Sequence, residues 1–328
     1  MYNICIVGFG VIGPVHAEAL KGLENVNLYA ICDTDHDRAD KGAEKYGCKA
    51  YYDFEDVLKD SEIDSVHICT PHYLHFDMIR RVIDAKKIAV PEKPIAMKKE
   101  EFEILENEYF YAPIYPILQN RTNTTVRTLK KIIETDDSIG KLKGVRGILT
   151  WFRGEEYYAS GDWRGTWELE GGGVLINQAV HTLDLMGYLG GGFKSVSATS
   201  SNKSLKNTIE VEDTFDARME MNNGAIAVFY ATNGFFNNSP VTPLIDFYFE
   251  NKTYSLNNNK LYCDGEVVVS NEDKFLGKTC YGIGHQTLFA DIYHGSEDCI
   301  TVADVVNTMH TMYAMYESAS NEGDEIQI

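Results

Sequence analysis

A short apolar run, Ile4–Val7, leads directly into Gly8-Phe9-Gly10-Val11-Ile12-Gly13, and a helix-forming stretch, Pro14–Leu20, follows. Between a strand and a helix, G-x-G-x-x-G is the turn of a βαβ unit in which free N–H groups and the helix dipole receive a pyrophosphate. Gly8 permits the turn, Gly10 lets the backbone approach the phosphates, and Gly13 lets helix and strand pack closely. Pro14 suits the first helical turn, where its missing N–H has no intrahelical partner. Asp33 ends the next apolar run, twenty residues after Gly13. A carboxylate there accepts hydrogen bonds from the adenosine ribose hydroxyls and repels a 2′-phosphate. The pattern predicts NAD, favoured over NADP, with Phe9, Val11 and Ile12 in the cradle and Arg38 near enough to Asp33 to soften the preference. A flavodoxin-like turn shares the glycines without a dinucleotide, and Asp33 argues against it.

The texture beyond the motif extends this reading. Apolar runs at Val26–Cys32, Val66–Cys69, Ile88–Val90 and Ile114–Leu118 alternate with helical stretches at Asp37–Tyr46, Phe76–Ala85 and Glu100–Tyr109. Such alternation reads as an α/β, doubly wound parallel sheet buried on both faces. After a helix near Thr124–Glu134 the pattern changes. Runs at Val145–Phe152, Thr214–Met221, Ala225–Thr232 and Leu244–Phe249 are separated by turn signals such as Asn222-Asn223-Gly224 and Asn237-Asn238. Those imply antiparallel pairing. One helix, about Val174–Leu189, interrupts the strands, and two helices near 285–295 and 302–319 close the chain. The expected division is a Rossmann domain over 1–120 and an α+β domain with a large mixed, mainly antiparallel sheet over 121–328.

Composition narrows the partners. The chain has 328 residues, with 30 Lys+Arg against 49 Asp+Glu and a formal charge of −19. That balance argues against nucleic acid and anionic membrane. No stretch approaches the roughly 18 apolar residues of a transmembrane helix. No basic residue precedes the apolar opening, so no signal peptide is expected. Seven cysteines without a C-x-x-C pair fit a reduced, cytoplasmic setting. His72-x-x-His75 lacks further ligands at convincing spacing, so no metal is expected.

Cys69-Thr70-Pro71-His72-Tyr73-Leu74-His75 and Pro91-Glu92-Lys93-Pro94 are followed by Gln119-Asn120-Arg121, Asp162-Trp163-Arg164-Gly165 and Gly171-Gly172-Gly173 running on to His181-Thr182-Leu183-Asp184. Tyr281-Gly282-x-Gly284-His285 closes the series. In this order and spacing, over nearly the whole chain, the sequence resembles the glucose-fructose oxidoreductase / inositol dehydrogenase / MocA (Gfo/Idh/MocA) family of sugar and polyol dehydrogenases. The resemblance implies a second domain that covers the cofactor and forms a homodimer or homotetramer through its sheet. It implies that Lys93 and His181 flank the nicotinamide and the reacting carbon, and that the Lys93–Pro94 bond is cis. It places the loop of Thr70, Pro71 and His75, together with Glu92, along the cofactor. Many inositol-type members carry Asp four residues before the His, where this chain has Asn177. An amide cannot accept a proton as a carboxylate does and serves better to orient substrate; Asn there resembles the branch acting on nucleotide-linked or amino-sugar pyranoses. Pro91 has no mechanistic reading.

Oxidising a secondary alcohol needs a proton acceptor that titrates near neutrality and a donor to the developing alkoxide. His181 and Lys93 are of those types. On a regular helix Asn177 and His181 share one face, and Asp184 is spaced to orient the imidazole. Arg121, Trp163 and Arg164 are candidate cofactor or substrate contacts, and Tyr157, Tyr158 and His285 candidate sugar contacts. Arg153 and Arg164 are of a type to clamp a carboxylate or diphosphate, or to pair with the many acidic residues. The expected activity is an NAD-dependent oxidoreductase acting on a sugar, sugar derivative or cyclitol. Two alternatives stay open: an NAD-dependent glycosidase working by oxidation, elimination and hydration, and a non-catalytic dinucleotide sensor.

Overall fold

The computed structural model describes residues 1–235, 243–257, 259–272, 274–276, 278–279 and 283–328. The chain folds as two compact units, unit 1 of residues 1–122 with 274–305 and unit 2 of residues 123–273 with 306–328. The sequence-based division at 120/121 puts every later residue in the second domain, whereas the compact units part at 122/123 and the first takes back a later segment. Residues 274–305 return to the first unit, because their helix carries a buried face (Leu288, Phe289, Ile292, Tyr293) that packs there against His16, His67 and Tyr2.

Unit 1 is built on a parallel sheet of β1 (Tyr2–Val7), β2 (Val26–Cys32), β3 (Lys49–Tyr51), β4 (Ser65–Ile68) and β5 (Ile88–Pro91), in the order β3-β2-β1-β4-β5. The helices are α1 (Gly13–Leu20), α2 (His36–Tyr46), α3 (Phe54–Lys59), α4 (His75–Asp84) and α5 (Lys99–Glu108). Cys5, Ile6, Ile31, Val66, Ile68, Ala89 and Val90 are all fully buried, as expected where both sheet faces are covered. α2 starts where the Asp35 carboxylate caps the Arg38 N–H and stops at Gly47 in the left-handed region. Among the described residues the run at Ile114–Leu118 forms one parallel bridge, Ala89 to Ile114. The strand order reverses beside β1, so the loops after β1 and β4 diverge and open the crevice in which such sheets bind ligands.

Unit 2 starts with α6 (Thr124–Thr135) and contains a nine-stranded sheet. Its strands are β6 (Leu142–Thr150), β7 (Phe193–Ser201), β8 (Thr214–Met221), β9 (Ile226–Thr232), β10 (Leu244–Phe249), β11 (Thr253–Asn257), β12 (Lys260–Cys263) and β13 (Glu266–Ser270), with β16 (Ile326–Gln327) at one edge. A separate pair, β14 (Lys274–Phe275) and β15 (Lys278–Thr279), belongs to unit 1. The pairing in the large sheet is antiparallel except between β6 and β9, which run parallel with Val145 opposite Ala227. β8 and β9 alternate buried and open residues across the Asn222–Gly224 turn. The Asn237-Asn238 signal lies outside the described residues. Short α7 (Glu155–Tyr158) follows β6. A π-helical turn, Leu175–Ala179, precedes α8 (Val180–Gly190) where a single α-helix was expected. α9 (Ile283–His294) belongs to unit 1, and α10 (Val302–Ser320) starts at its end and continues into unit 2.

Gly8 lets the loop after β1 lie against the backbone that follows β4. Its φ is +88°, and a Cβ there would stand 2.7 Å from the carbonyl carbon and oxygen of Cys69. Backbone cannot yield as a side chain can. Gly8→Ala is expected to destabilise unit 1 by about 2 kcal/mol or more, measured as a lower urea midpoint at unchanged slope. An unchanged midpoint would contradict this close approach of Gly8 to the Cys69 backbone.

Candidate active site

The nucleotide cradle forms at the C-terminal end of β1. Phe9 is buried against Tyr46, Gly10 and Val11 are exposed, and Ile12 is half-buried. A Cβ at Gly10 would meet nothing within 4 Å, so the space a pyrophosphate needs is open there. A Cβ at Gly13 would stand 2.7 Å from the Gly8 carbonyl oxygen, as close helix–strand packing requires. Asp33 is 7% exposed and ties the cradle together. Its Oδ2 accepts the Phe9 N–H at 2.7 Å and its Oδ1 accepts the Asp35 N–H at 2.9 Å. Arg38 Nη1 reaches both oxygens, at 3.3 and 3.2 Å, and Arg38 also pairs with Asp35. Glycines, open space and a terminal carboxylate all fit NAD.

Thr70 and Pro71, both half-buried, follow β4. His75, expected along the cofactor, lies fully buried instead. Its Nδ1 sits 2.7 Å from the Pro94 carbonyl and its Nε2 2.8 Å from that of Thr70, so the ring clamps one loop to the next. Burial lowers its pKa, and the two carbonyls oppose that. Lys93 is half-buried, and the Lys93–Pro94 bond is cis.

Behind Lys93 stands a buried carboxylate shared by two imidazoles. Glu92 Oε2 accepts the Lys93 N–H at 3.2 Å, and Oε1 lies 3.1 Å from His16 Nε2 and 3.4 Å from His285 Nε2. Burial alone would raise its pKa; the two imidazoles outweigh that and hold it well below the usual carboxylate range. An ionised carboxylate only accepts, so both Nε2 atoms carry protons. His16 Nδ1 is then an acceptor for His67 Nδ1 at 2.9 Å, with the Cys69 thiol at 3.3 Å. His67 Nε2 accepts from Tyr293 at 2.7 Å, and Tyr293 from Ser65 at 2.8 Å. Burial pushes the pKa of both His16 and His67 down, in agreement with neutral rings. His285, taken from sequence as a sugar contact, belongs to this buried chain and is 3% exposed. Arg121 is buried too, with Nη2 donating to the Asp304 carbonyl at 3.0 Å. Tyr281 and Gly282 lie outside the described residues.

In unit 2 the glycine loop and π-turn present Asn177, with His181 half-buried in the first turn of α8. The π-turn closes through Ala179 N–H to the Val174 carbonyl at 2.8 Å, so the regular spacing assumed for Asn177 and His181 does not apply. Asp184 is buried and accepts the Thr308 hydroxyl at 2.8 Å. Asn177 Nδ2 donates to Glu170 Oε1 and, at 3.3 Å, to the Tyr157 hydroxyl. That hydroxyl also receives Gln178 Nε2 at 3.0 Å and Arg164 Nη1 at 2.7 Å. Tyr158 is buried, with Asn233 Nδ2 at 3.3 Å, and Trp163 is half-buried under the Arg164 guanidinium.

Glu212 supports the loop from beneath. It accepts the N–H groups of Gly173 at 2.9 Å and Leu175 at 3.1 Å and the Tyr316 hydroxyl at 2.9 Å. A Cβ at Gly173 would stand 2.0 Å from the Glu212 carbonyl oxygen, so only glycine lets the loop lie this close. Burial pushes the carboxyl pKa from 4.5 up to about 7 against those donors. Sequence reading missed His16, His67, Glu170, Glu212 and Tyr293. The one available signal was the acidic pair Glu212-Asp213 directly before β8.

Two outcomes follow from these carboxylates. Glu92→Ala leaves two buried imidazoles without their shared acceptor and is expected to cost about 3 kcal/mol or more in chemical unfolding; a loss under about 1 kcal/mol would be too small for that role. Glu212 binds its proton more tightly folded than unfolded. Its contribution is fully present below the unfolded value of 4.5 and is lost as the pH rises through about 7. The wild type should therefore lose stability relative to Glu212→Gln across that window; parallel stability curves would remove the assignment.

Comparison with known proteins places this geometry. Residues 2–108 match the model described as oxidoreductase family, NAD-binding Rossmann fold, and residues 126–252 match the GFO/IDH/MocA C-terminal domain. The chain is 31% identical over 142 residues to a myo-inositol 2-dehydrogenase of Thermotoga maritima, covering 42% of each. It is 26% identical over 210 residues to a levoglucosan dehydrogenase of Pseudarthrobacter phenanthrenivorans, covering 61% of this chain and 54% of that one. It thus spans about half the length of these curated relatives. A crystal structure of the WlbA dehydrogenase from Bordetella pertussis in complex with NADH and UDP-GlcNAcA superposes with a TM-score of 0.88 at 25% identity, covering 100% of this chain and 97% of that one. Unit 1 carries an NAD-binding Rossmann fold, and the chain belongs to the Gfo/Idh/MocA oxidoreductase family.

Proposed function

We propose that the protein is an NAD-dependent oxidoreductase that moves a hydride between the nicotinamide and a secondary hydroxyl or ketone of a sugar, sugar derivative or cyclitol. The observation that carries this reading is the placement of Lys93 just beyond β5, in the same parallel sheet whose β1 ends in the nucleotide cradle. The inositol and levoglucosan dehydrogenases among its relatives support the substrate class.

When bound, NAD supplies the hydride acceptor. Lys93 Nζ donates to the reacting oxygen and stabilises alkoxide charge as it develops. The His181 imidazole takes the hydroxyl proton, since an imidazole titrates near neutrality. Asn177, a non-titrating amide held by Glu170 and Tyr157, orients the sugar. Glu92 supports Lys93 through the backbone rather than through the reaction. The Asp33 carboxylate receives the ribose hydroxyls, which favours NAD over NADP.

The reading extends to a cytoplasmic homo-oligomer associated through the second sheet. Ile226, Val228 and Tyr248 are 40%, 46% and 38% exposed on β9 and β10, an apolar surface of the kind that partners cover. Among the described residues no helix is long and apolar enough to cross a membrane.

Absorbance of the reduced cofactor during incubation with NAD and free pyranoses, inositols, uronates or nucleotide sugars tests the activity. Lys93→Ala is expected to lower kcat by about 100- to 1,000-fold while NADH still binds, as read by fluorescence titration. Unchanged turnover would remove Lys93 from the chemistry. Aglycone release from an O-glycoside with no net NADH would replace the dehydrogenase by the oxidation–elimination–hydration glycosidase.

A further inference from the structure

Two arginines of unit 2 stand apart in so acidic a chain. Arg153 follows β6, where its N–H bonds the Asn233 carbonyl, and Arg164 lies in the turn after α7. Several other arginines of the fold meet carboxylates, as Arg38 does Asp33 and Asp35, Arg81 Glu55 and Asp77, and Arg146 Asp246. Arg153 and Arg164 form no ion pair within 4.0 Å among the described residues, although Glu155, Glu156 and Asp162 are close in sequence.

Their contacts are aromatic. The Arg153 guanidinium carbon lies 4.7 Å from the Trp151 ring centre and 5.1 Å from that of Tyr157. The Arg164 guanidinium carbon lies 4.4 Å from the Tyr157 ring and 4.3 Å from the Trp163 ring. Two cations thus share one ring and repel each other. Stacking fixes the guanidinium planes and leaves N–H edges to donate. Arg153 Nη1 donates to the Phe152 carbonyl, and its buried Nε meets no partner. Arg164 donates through Nη1 to the Tyr157 hydroxyl and through Nε to Ser160. The same Tyr157 hydroxyl receives Asn177 and Gln178 of the π-turn, so the pair is wired to the segment that carries the substrate-orienting amide.

We propose that Arg153 and Arg164, held over Tyr157, form a subsite for an anionic group on the sugar, a carboxylate or a phosphate, so that the preferred substrate is an acidic sugar derivative. This rests on the assignment of Asn177 as a substrate contact. An oxyanion with two oxygens on one edge meets forked donors there, and its charge relieves the repulsion between the two cations. Net charge of −19 lowers the encounter rate with anions but leaves this local recognition intact.

Calorimetric titration of the NADH-loaded protein with D-glucose, D-glucuronate, D-glucose 6-phosphate and UDP tests it at low salt. At least one anion should bind more tightly than glucose, and the carboxylate and phosphate probes show which source the site takes. Arg153→Met with Arg164→Met keeps the stacked stems and is expected to weaken that anion about 10- to 100-fold, the scale of one or two lost charge-assisted bonds. Arg164→Lys, which keeps the charge and loses the fork, should fall between. Thermal unfolding verifies that each variant is folded. Glucose binding as well as every anion, or an anion binding the folded double variant as well as the wild type, would overturn the subsite. Anion binding that depends on both arginines, with no sugar of the substrate panel oxidised, would overturn the dehydrogenase reading and leave the subsite standing.

Discussion

A single buried carboxylate organises the cofactor unit. Glu92 lies one residue before the proposed catalytic lysine and gathers three donors, two imidazoles and a main-chain N–H. Taking a charge out of water costs several kcal/mol unless its lone pairs are satisfied. Here the satisfaction comes from a one-directional chain, Ser65 to Tyr293 to His67 to His16, whose every proton points toward the carboxylate. Neutral histidines suffice for it. The outcome is a rigid support for the stretch that ends in Lys93 and Pro94, with His75 clamping the Pro94 carbonyl from the other side.

Unit 2 applies the same device to a different end. Glu212 gathers the N–H groups around the glycine loop, and Glu170 holds Asn177 and the Gly165 N–H. The donors to Glu212 are main-chain amides and a phenol, and burial raises its pKa where the imidazoles lower that of Glu92. Equal burial thus produces opposite shifts, decided by what donates. Helix geometry adjusts accordingly: the chain leaves the glycine loop as a π-turn before α8 begins.

Much of this was legible in the sequence because it is local. The cradle needs three glycines at fixed spacing and a carboxylate at the next strand end, and Gly8, Gly10, Gly13 and Asp33 occur in that order within 33 residues. Strands β2, β8 and β10 begin and end where hydropathy placed them. The support behind Lys93 was not legible. His16 and His285 have no common sequence signal, and a histidine near the chain end reads as a surface contact until α9 carries it into the core of unit 1. The π-turn escaped for a related reason, since a pattern read at 3.6 residues per turn contains no mark of one extra residue. Short, weakly apolar strands such as β3 and β11 to β13 carry too little periodicity to stand out.

The return of residues 274–305 to unit 1 sets an order on synthesis. Glu92 and its donor His285 are 193 residues apart, with the sheet of unit 2 encoded between them. A ribosome therefore releases the whole nucleotide cradle, and nearly all of unit 2, before the second imidazole for that carboxylate exists. Until then Glu92 has only His16 and the Lys93 N–H, and the core beside His16 and His67 lacks Phe289 and Tyr293. The buried core of the cofactor unit is therefore complete only after most of the second sheet has been synthesised.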